Sequence, residues 1–440
     1  MKKMNKSWLF FALLLFWLPG SAQNEYTLVQ IIDRVVAENY QIRMIANDAT
    51  IAANNHTPGN AGFLPKIDAE ASQTWTLNNI DQQLANGEIN QGNNAQSSNF
   101  SGLVGLNWTV FDGFKMFAMR NKLGALAEIG RLDARFYINQ TVSDVSLAYY
   151  EMLQGTALLD NYQKALEVSR FRYQLEGNKR RLGSGSGLLY NQAKTDYLSD
   201  SAKVLEQQNA LKSLEIEINR LMNLPLDQSV DLAAPQTELP LIEAKETVMN
   251  KAKEANQNLK KALLEELVAE ANLRMERANR YPSVDLFANY SFSRQVNQVG
   301  FIRSNQNAGP GAGVSVRFNL YNGGNVNRTV KNAEINQATA ELNTKSNHQL
   351  VEKAVLLAFN QYQNTSARLA IAKTQQQTAT ASLEIARQQY EAGTIDGYNF
   401  RLTQLSLIDA NNRVIQLRFA IQSSAVELMR LTDTIVERSL

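Results

Sequence analysis

The segment Val314–Gly324, VSVRFNLYNGG, decides the fold because its pattern changes at one point. Its apolar residues alternate with polar ones, a period of two that is typical of a β-strand with one apolar face: Val314, Val316, Phe318 and Leu320. Two glycines follow, and beyond them the chain runs without a breaker, which predicts a long helix. The segment Val104–Gly113, VGLNWTVFDG, has the same pattern and also ends at a glycine.

These two segments belong to an internal duplication. Phe111-Asp112-Gly113 matches Tyr321-Asn322-Gly323, and a register of 210 residues continues from there to the end of the second copy. Before this block the copies match at an offset of 217, so a seven-residue difference falls between Pro65 and Phe111. Matching pairs include Asn39 with Asn256, Pro65 with Pro282, Gly183 with Gly393 and Gly187 with Gly397. Since solenoid repeats are only about 20–50 residues long, this repeat predicts one structural half used twice.

Composition excludes several classes of function. The 440 residues carry a net charge of +2 and no basic stripe, so no nucleic-acid partner is expected. Cysteine is absent, which excludes disulfides, thiolate metal sites, a cysteine nucleophile and a lipid-modified N-terminal cysteine. Only two histidines occur, His56 and His348, and they are far apart in the sequence. We therefore assign no catalytic, cofactor-binding or metal-ligating residue and expect a protein that is not an enzyme.

The N-terminus has the features of a secretory signal peptide. Lys2, Lys3 and Lys6 precede an apolar run over residues 8–18, and small residues follow it up to Ala22. We therefore predict a signal peptide over residues 1–22 and an exported chain. The apolar run is shorter than the roughly 20 residues of a spanning helix, and no later stretch reaches that length.

Each half is expected to contain an opening helix, a β-hairpin and a long helical hairpin. Prolines end the opening helices, near residues 27–60 and 243–280, because proline disfavours helix in the residue before it. The predicted division is a first repeat over 23–222 with its β-hairpin at 65–111 and helical hairpin at 112–222, a mid-height connector at 223–242, and a second repeat over 243–440 with a β-hairpin at 282–321, a helical hairpin at 322–431 and a C-terminal tail.

The predicted strands are roughly ten residues long, the length of a tilted membrane-spanning strand. Polar loops over 77–99 and 295–310 join them, and one face carries charged residues that prefer water: Lys66, Asp68, Glu70, Asp285 and Arg317. Alternation alone also fits a half-buried sheet in a soluble domain. The membrane interpretation is favoured because the rest of the chain is predicted to be helix with only a narrow stripe of apolar residues. Such helices offer no hydrophobic core that could cover the strands.

After the glycines, unbroken helical patterns run to about residues 180 and 391, roughly 100 Å at 1.5 Å per residue. Their thin heptad stripes predict coiled-coil packing. Helices about half as long, near 188–222 and 398–431, return after glycine-rich turns, so that two short helices laid end to end match one long helix. Four strands per subunit cannot close a barrel, and an open sheet edge in lipid leaves unpaired backbone groups. Two copies would supply eight strands, with a barrel interior filled by side chains, whereas three would supply twelve, wide enough for a channel. The water-preferring residues of the polar face favour the wider barrel, with the helices forming a hollow cylinder below.

The order and duplication of these motifs resemble the TolC-like outer-membrane efflux family. The resemblance rests on Leu320-Tyr321-Asn322-Gly323-Gly324 with Asn327, on Gln389-Tyr390-Glu391-Ala392-Gly393-Thr394, and on the matching segments of the first half. It implies a mainly α fold with a small transmembrane β part, in which long helical hairpins form an α-barrel and two β-hairpins per subunit close into a trimeric twelve-stranded β-barrel. It also implies a homotrimer in the outer membrane of a Gram-negative cell, with a periplasmic adaptor and an inner-membrane pump as partners.

The same resemblance implies roles for the glycine-rich turns. They would be the periplasmic tips where the partner docks, through Gly183, Ser184, Gly187, Gly393, Thr394 and Gly397, and they also fit plain helix C-caps. The family's acidic entrance ring falls here on Asn399 and Leu402, its latch arginine on Ile395, and the arginine's acidic partner on Leu189, whereas Tyr390 is retained. Asp396 is the nearby acid that could form a substitute ring, or it is a solvated turn residue. The candidate constriction is therefore Tyr390, Asp396 and Asn399.

The strand–helix switches are a further candidate feature. Tight turns explain them better than ligand-binding loops do, and their residues are Pro65, Asp112, Gly113, Pro282, Asn322, Gly323 and Gly324. The functional expectation is a passive exit duct of a tripartite efflux or type I secretion system. The alternative is an exported soluble coiled-coil scaffold or adaptor. A hydrolase is disfavoured, since we find no nucleophile, histidine-containing triad or phosphate loop.

Overall fold

The computed structural model describes residues 25–233 and 241–435. The predicted signal peptide, together with Pro235 and Pro240 of the predicted connector, lies outside these residues. The described chain forms two compact units. One contains the described residues of Met1–Arg43, Phe136–Asn256 and Val351–Leu440, and the other contains Met44–Arg135 and Gln257–Leu350.

Helices dominate the described chain, which confirms the mainly α fold class and the long helices. None of the helices within residues 25–233 and 241–435 combines the length and apolar character needed to cross a membrane. Each half supplies two short helices, one of 67 residues and one of 35. Their bounds are α1 Leu28–Glu38, α2 Tyr40–Asn55, α3 Lys115–Arg181, α4 Gly187–Leu221, α5 Lys245–Ala255, α6 Gln257–Ala278, α7 Asn325–Glu391 and α8 Gly397–Leu431.

The opening helix of each half is broken, so the expectation of a continuous helix there is wrong. The break falls at Asn39 and at Asn256, which match each other in the repeat. Asn39 ends α1, and its side-chain oxygen accepts hydrogen bonds from the backbone N–H groups of Gln41 (2.9 Å) and Ile42 (3.3 Å). An asparagine oxygen placed in this way caps the first turn of α2, which explains why no proline is needed at the break.

The amide nitrogen of each asparagine joins this break to the end of another helix. Asn39 donates to the carbonyl oxygen of Leu221 at 3.2 Å, and Asn256 donates to that of Leu431 at 3.2 Å. These carbonyls belong to the last turns of α4 and α8, which have no partner within their own helices. In the first half one side chain therefore satisfies polar groups of two helix ends, and in the second half Asn256 makes the matching link to the end of α8.

Four strands form one antiparallel sheet in the order β1-β2-β3-β4. They are β1 Lys66–Gln83, β2 Ile89–Phe111, β3 Ser283–Asn297 and β4 Ser304–Arg317. The expectations of ten-residue strands and of long loops at 77–99 and 295–310 are therefore wrong. Backbone pairing continues through most of both polar stretches, for example from Thr76 with Ser97 to Gln83 with Ile89. Ladder hydrogen bonds do not require apolar side chains, so alternation underestimates strand length.

Pairing register places most apolar residues of the four strands on one face, with Leu103 and Phe287 on the other. Ala69 lies opposite Val104, Val104 opposite Tyr290, and Leu286 opposite Val314, and directly opposed residues share a face. The other face carries charged and small residues, among them Asp68, which pairs with Gly105, and Asp285, which pairs with Ser315. The two faces predicted from the alternation are thus present in the sheet.

The cores of the units are narrow stripes of aliphatic side chains. In the first unit Ile31, Ile32 and Val35 pack with Val142 and Val145 among a larger buried group. A second stripe there joins α7 to α8 through Leu369, Ala372, Val414, Leu417 and Ile421. In the second unit Leu273, Val330 and Ala333 are buried together. Such stripes leave most of each helix surface free for other contacts.

Candidate functional site at the ends of the helical hairpins

The two helical hairpins turn in the same way. Gly183 and Gly393 have φ of +78° and +76°, the left-handed conformation that favours glycine just beyond a helix end. In both turns the next residue reaches back to the last helical turn: Ser184 N–H to the Lys179 carbonyl at 3.0 Å, and Thr394 N–H to the Gln389 carbonyl at 2.9 Å. Both turns are therefore helix C-caps, a reading the sequence allowed, and their role in partner docking stays a prediction.

The returning helices begin at Gly187 and Gly397, each after a capping residue. Ser186 accepts from the Leu188 N–H at 3.2 Å, and Asp396 accepts from the Asn399 N–H at 2.8 Å. An acidic N-cap is stabilised by the helix dipole as well as by the hydrogen bond. The Asp396 carboxylate thus has a structural function at the start of α8, and its part in a constriction stays a prediction.

Tyr390 is buried and connects the two hairpins. Its hydroxyl donates to Glu176 of α3 at 2.6 Å, and its ring stacks on Phe400 with centroids 4.8 Å apart. Burial, together with the hydrogen bond to Glu176, raises the pKa of the Tyr390 hydroxyl. Position 189 is a leucine, so the acidic partner expected there is absent, but Glu176 of the same half accepts a hydrogen bond from Tyr390. Matching the sequence on the second turn alone did not identify Glu176.

Arg401 of α8 forms a buried ion pair with Asp200 of α4. Its two terminal nitrogens lie 2.7 Å and 2.9 Å from the Asp200 oxygens, and one of them also donates to Gln404 Oε1 at 2.8 Å. Asp200 is 1% exposed. Burial lowers the pKa of the Arg401 guanidinium, but the hydrogen bonds and charge of Asp200 outweigh it, so the pKa is raised overall. A bidentate pair of this kind is both strong and geometrically specific.

A second arginine extends this cluster to α3. Arg172 pairs with Asp196 of α4 and donates to the carbonyl oxygen of Gly397 at 3.1 Å. Arg401 approaches the same Asp196, with Nε 3.7 Å from Oδ1. The cluster therefore fixes α3, α4 and the start of α8 to one another. Since one buried charge without its partner is costly, the cluster is satisfied only when all three helices are together.

The first hairpin end also carries an aromatic and basic surface. The Tyr173 hydroxyl lies 3.0 Å from that of Tyr190, and the Arg180 guanidinium stands over the Tyr190 ring at 5.0 Å. Arg180 and Arg181 are exposed and form no ion pair within residues 25–233 and 241–435. They border an open cleft of about 500 Å³ with Tyr173 and Tyr190. This surface has free positive charge available for an acidic group.

The strand–helix switches lie in the other unit. Asp112 caps α3 by accepting from the Met116 N–H at 2.9 Å, and Asn322 does the same for Val326 of α7 at 3.4 Å. Gly113 and Gly323 follow with φ of +70° and +69°. Each switch continues with a second residue of positive φ, Phe114 in the first copy and Gly324 in the second. Pro65 and Pro282 each stand directly before a strand, β1 and β3.

The residues that sequence reasoning missed are Arg172, Glu176, Asp196, Asp200 and Arg401. Their partners lie as far as 225 positions away along the chain, so no local motif contains them. The repeat offers no signal either, because residues 210 positions away do not carry the same charges. Within the described residues, no group of three or more His, Asp or Glu side chains is arranged to hold a metal ion.

This duplicated architecture is that of the outer membrane efflux proteins. The sequence pattern of that family matches the chain twice, over residues 31–224 and 248–434, which also confirms the internal duplication. The chain belongs to the outer membrane efflux protein family. It is a transport protein of the outer membrane and not an enzyme.

Individual relatives agree with this assignment. The outer membrane protein TolC of Escherichia coli (strain K12) is 24% identical over 356 residues, 78% of this chain and 69% of that protein. TolC of Salmonella enteritidis is 22% identical over 427 residues, 94% of this chain and 83% of that protein. The crystal structure of the Campylobacter jejuni CmeC outer membrane channel has a TM-score of 0.76 at 14% identity, covering 92% of this chain and 85% of that one. This last likeness establishes the fold.

Proposed function

We propose that this protein is the exit duct of an export system. Three copies close their sheets into a twelve-stranded β-barrel in the outer membrane, and their helices form a water-filled tunnel through the periplasm. A periplasmic adaptor and an inner-membrane pump deliver the substrate to the tunnel entrance. The duct conducts passively, so the choice of cargo rests with the pump.

The observation that carries this proposal is the sheet. Its apolar face includes side chains that are largely exposed in the single chain, such as Trp75 at 68% and Val316 at 66%. Its outer strands, β1 and β4, each pair on one side only within the described residues. A large exposed apolar surface indicates a membrane or protein contact, and free strand edges in lipid require pairing. Closure of several sheets edge to edge in a bilayer satisfies both requirements.

The ends of the helical hairpins fit the entrance of such a duct. Buried polar links hold the two hairpins of one chain together there, through Tyr390 with Glu176 and through Arg401 with Asp200. Breaking such links would let the hairpins separate and the entrance widen. The exposed Arg180 and Arg181, beside Gly183, offer charge to an acidic group of a docking adaptor.

The experiment is extraction followed by two measurements on the same purified protein. We expect the full chain to require detergent, to show the mass of three copies in native mass spectrometry, and to give discrete conductance steps in planar bilayers. A monomer released without detergent would contradict the proposal and favour the soluble scaffold. A trimer that never conducts, even with the Tyr390 link removed, would contradict the duct.

A further inference from the structure

The apolar face of the sheet continues beyond the end of β2 as a cluster of aromatic rings. The pairing register shifts between Thr109 and Phe111, so that Phe111 lies opposite Val284. Val284 is two residues from Leu286 on β3 and shares the apolar face with it. Without this bulge Phe111 would lie on the charged face, because side chains alternate along a strand. The bulge therefore adds one more aromatic ring to the apolar face.

Phe114 continues the cluster in a strained conformation. Its φ is +68°, which residues other than glycine rarely adopt, and the second copy has Gly324 at this place with φ +78°. The Phe114 ring is 62% exposed, so it gains little from burial within the chain. Its centroid lies 5.4 Å from that of Phe111 and 6.1 Å from that of Phe117. A bulky residue kept at positive φ without burial indicates a contact outside the chain.

A cleft opens on the same face of α3, just beyond these rings. Phe117, Asn121, Gly124 and Glu128 recur at steps of four, three and four, so they share one face of the helix. The last three of them line a cleft of about 500 Å³. Since α3 begins at Lys115, the cleft starts within about 10 Å of the beginning of the helix. The rings and the cleft thus form one continuous surface.

The cleft offers positive charge. Arg120 and His56 line it, and the His56 ring lies over Gly124, where a Cβ would be 3.4 Å from Nε2. Each of the two carboxylates in the cleft is already paired with an arginine: Glu128 with Arg131, and Glu270 with Arg274. Arg120 is exposed, and no ion pair engages it in the parts of the chain that the structure describes. A guanidinium and an imidazole are therefore available to an anion, beside the apolar wall of Leu267.

The matching place in the second copy is closed. Val330 takes the place of Arg120 and Leu273 that of His56, and both are buried together. Glu334 takes the place of Gly124 and pairs with Arg277 at 2.9 Å. The aromatic cluster is reduced there as well, because Asn327 replaces Phe117. The surface is therefore a property of the first half and not a by-product of the duplicated fold.

We propose that this surface binds a phospholipid of the bilayer. The phosphate lies in the cleft, at Arg120 and His56. The acyl chains lie along Phe111, Phe114 and Phe117. Guanidinium groups form strong charge-assisted hydrogen bonds with phosphate oxygens, and aromatic rings are favoured at the level of lipid headgroups. The inference rests on the placement of the sheet in a membrane, which belongs to the proposed function, and adds one headgroup site for each copy of the chain.

The test counts the lipid bound to the intact trimer. Detergent-purified protein stripped of lipid is titrated with phosphatidylglycerol, and bound lipid is measured by native mass spectrometry. We expect one tightly bound lipid for each copy, and no comparable binding of diacylglycerol, which has the same chains without the phosphate. In Arg120→Gln the Kd should rise about ten- to a hundredfold, the loss expected for a hydrogen bond to a charged group. The matched control is Arg328→Gln, which removes an exposed arginine at the start of α7 and should leave the Kd unchanged.

A second variant separates lipid binding from folding. Glycine adopts positive φ without strain, so Phe114→Gly should keep or raise the thermal midpoint of the lipid-free trimer. The same change removes an exposed ring from the acyl surface, so the Kd for phosphatidylglycerol should rise by at least about threefold. A ring with a purely structural function would instead lower the midpoint when it is removed.

The outcomes separate this inference from the proposed function. If Arg120→Gln and Phe114→Gly bind phosphatidylglycerol as the unaltered chain does, while the trimer forms and conducts, the inference is wrong and the proposed function stands. Inorganic phosphate that binds as tightly as the lipid would show that the rings contribute nothing, and would also contradict a phospholipid site. If the protein is a monomer released without detergent, the proposed function fails and this inference fails with it.

Discussion

Removal of the Arg401 side chain should loosen the hairpin ends strongly. In Arg401→Ala, Asp200 stays buried and keeps one cation, Lys203, at 3.9 Å. Loss of one partner from a buried ion pair costs about 3–5 kcal/mol, because the other charge is left uncompensated. The Asp200→Ala change should lie at the lower end, since Arg401 then keeps Gln404 at 2.8 Å and Asp196 at 3.7 Å.

Hydrogen exchange measured by mass spectrometry is the suitable assay, because it reports local opening of α4 and α8 in the intact protein. With about 1.4 kcal/mol for each factor of ten, amides near position 401 should exchange roughly a hundred- to a few thousand-fold faster in Arg401→Ala. The matched control is Arg387→Ala, which removes an exposed pair with Glu391 and should change exchange less than about threefold. If Arg401→Ala raises exchange by less than about tenfold, the cluster does not hold these helices.

Three further changes test other parts of the structure. Tyr390→Phe removes the 2.6 Å hydrogen bond to Glu176, at a cost of about 1–3 kcal/mol, and should raise the open fraction in planar bilayer recordings while the ring stacking is kept. Asn39→Ala removes the cap of α2 and should lower the thermal midpoint of the detergent-extracted protein, with a loss of about 1–2 kcal/mol. Asn39→Asp keeps the capping oxygen but loses the amide donor to the Leu221 carbonyl, so it should lower the midpoint as well. Gly113→Ala places a Cβ 2.5 Å from the Ala278 carbonyl oxygen and should abolish or severely reduce the yield of folded protein. Gly323→Ala has the same positive φ but open space around the new Cβ, so it should cost only about 1–2 kcal/mol of stability. Equal yields of the two variants would refute the steric argument.

The sequence predicts the sheet faces well and the strand lengths poorly. Alternation from Val284 to Phe292 arises because one face is apolar, and the strand register bears out that face. The stretch before Gln83 is rich in polar residues on both faces, and its pairing with β2 depends on backbone hydrogen bonds that leave no periodic signal. The helix break at Asn39 also leaves no signal in the sequence, because an asparagine can be identified as a helix cap only when its hydrogen-bond partners are known.

The turns can be predicted from the sequence, whereas the ion cluster cannot. Gly183 and Gly393 mark the turns because a left-handed turn restricts the residue type at that position. Arg401 and Asp200 are ordinary charged residues in helical sequence, and their pairing depends on how two hairpins pack. Their counterparts in the repeat, Asn191 and Ala410, are uncharged, so even the duplication gives no hint of the pair.

The central claim is that one face of the sheet meets lipid and the other meets water, and two single-cysteine variants on β4 test it most directly. A fluorophore attached to Val316→Cys, on the apolar face, should be quenched in proteoliposomes by spin-labelled lipid and not by aqueous iodide. The same fluorophore on Ser315→Cys, on the opposite face, should be quenched by iodide and not by the lipid. Quenching of both sites by iodide alone would contradict the account, because the sheet would then lie in water on both faces.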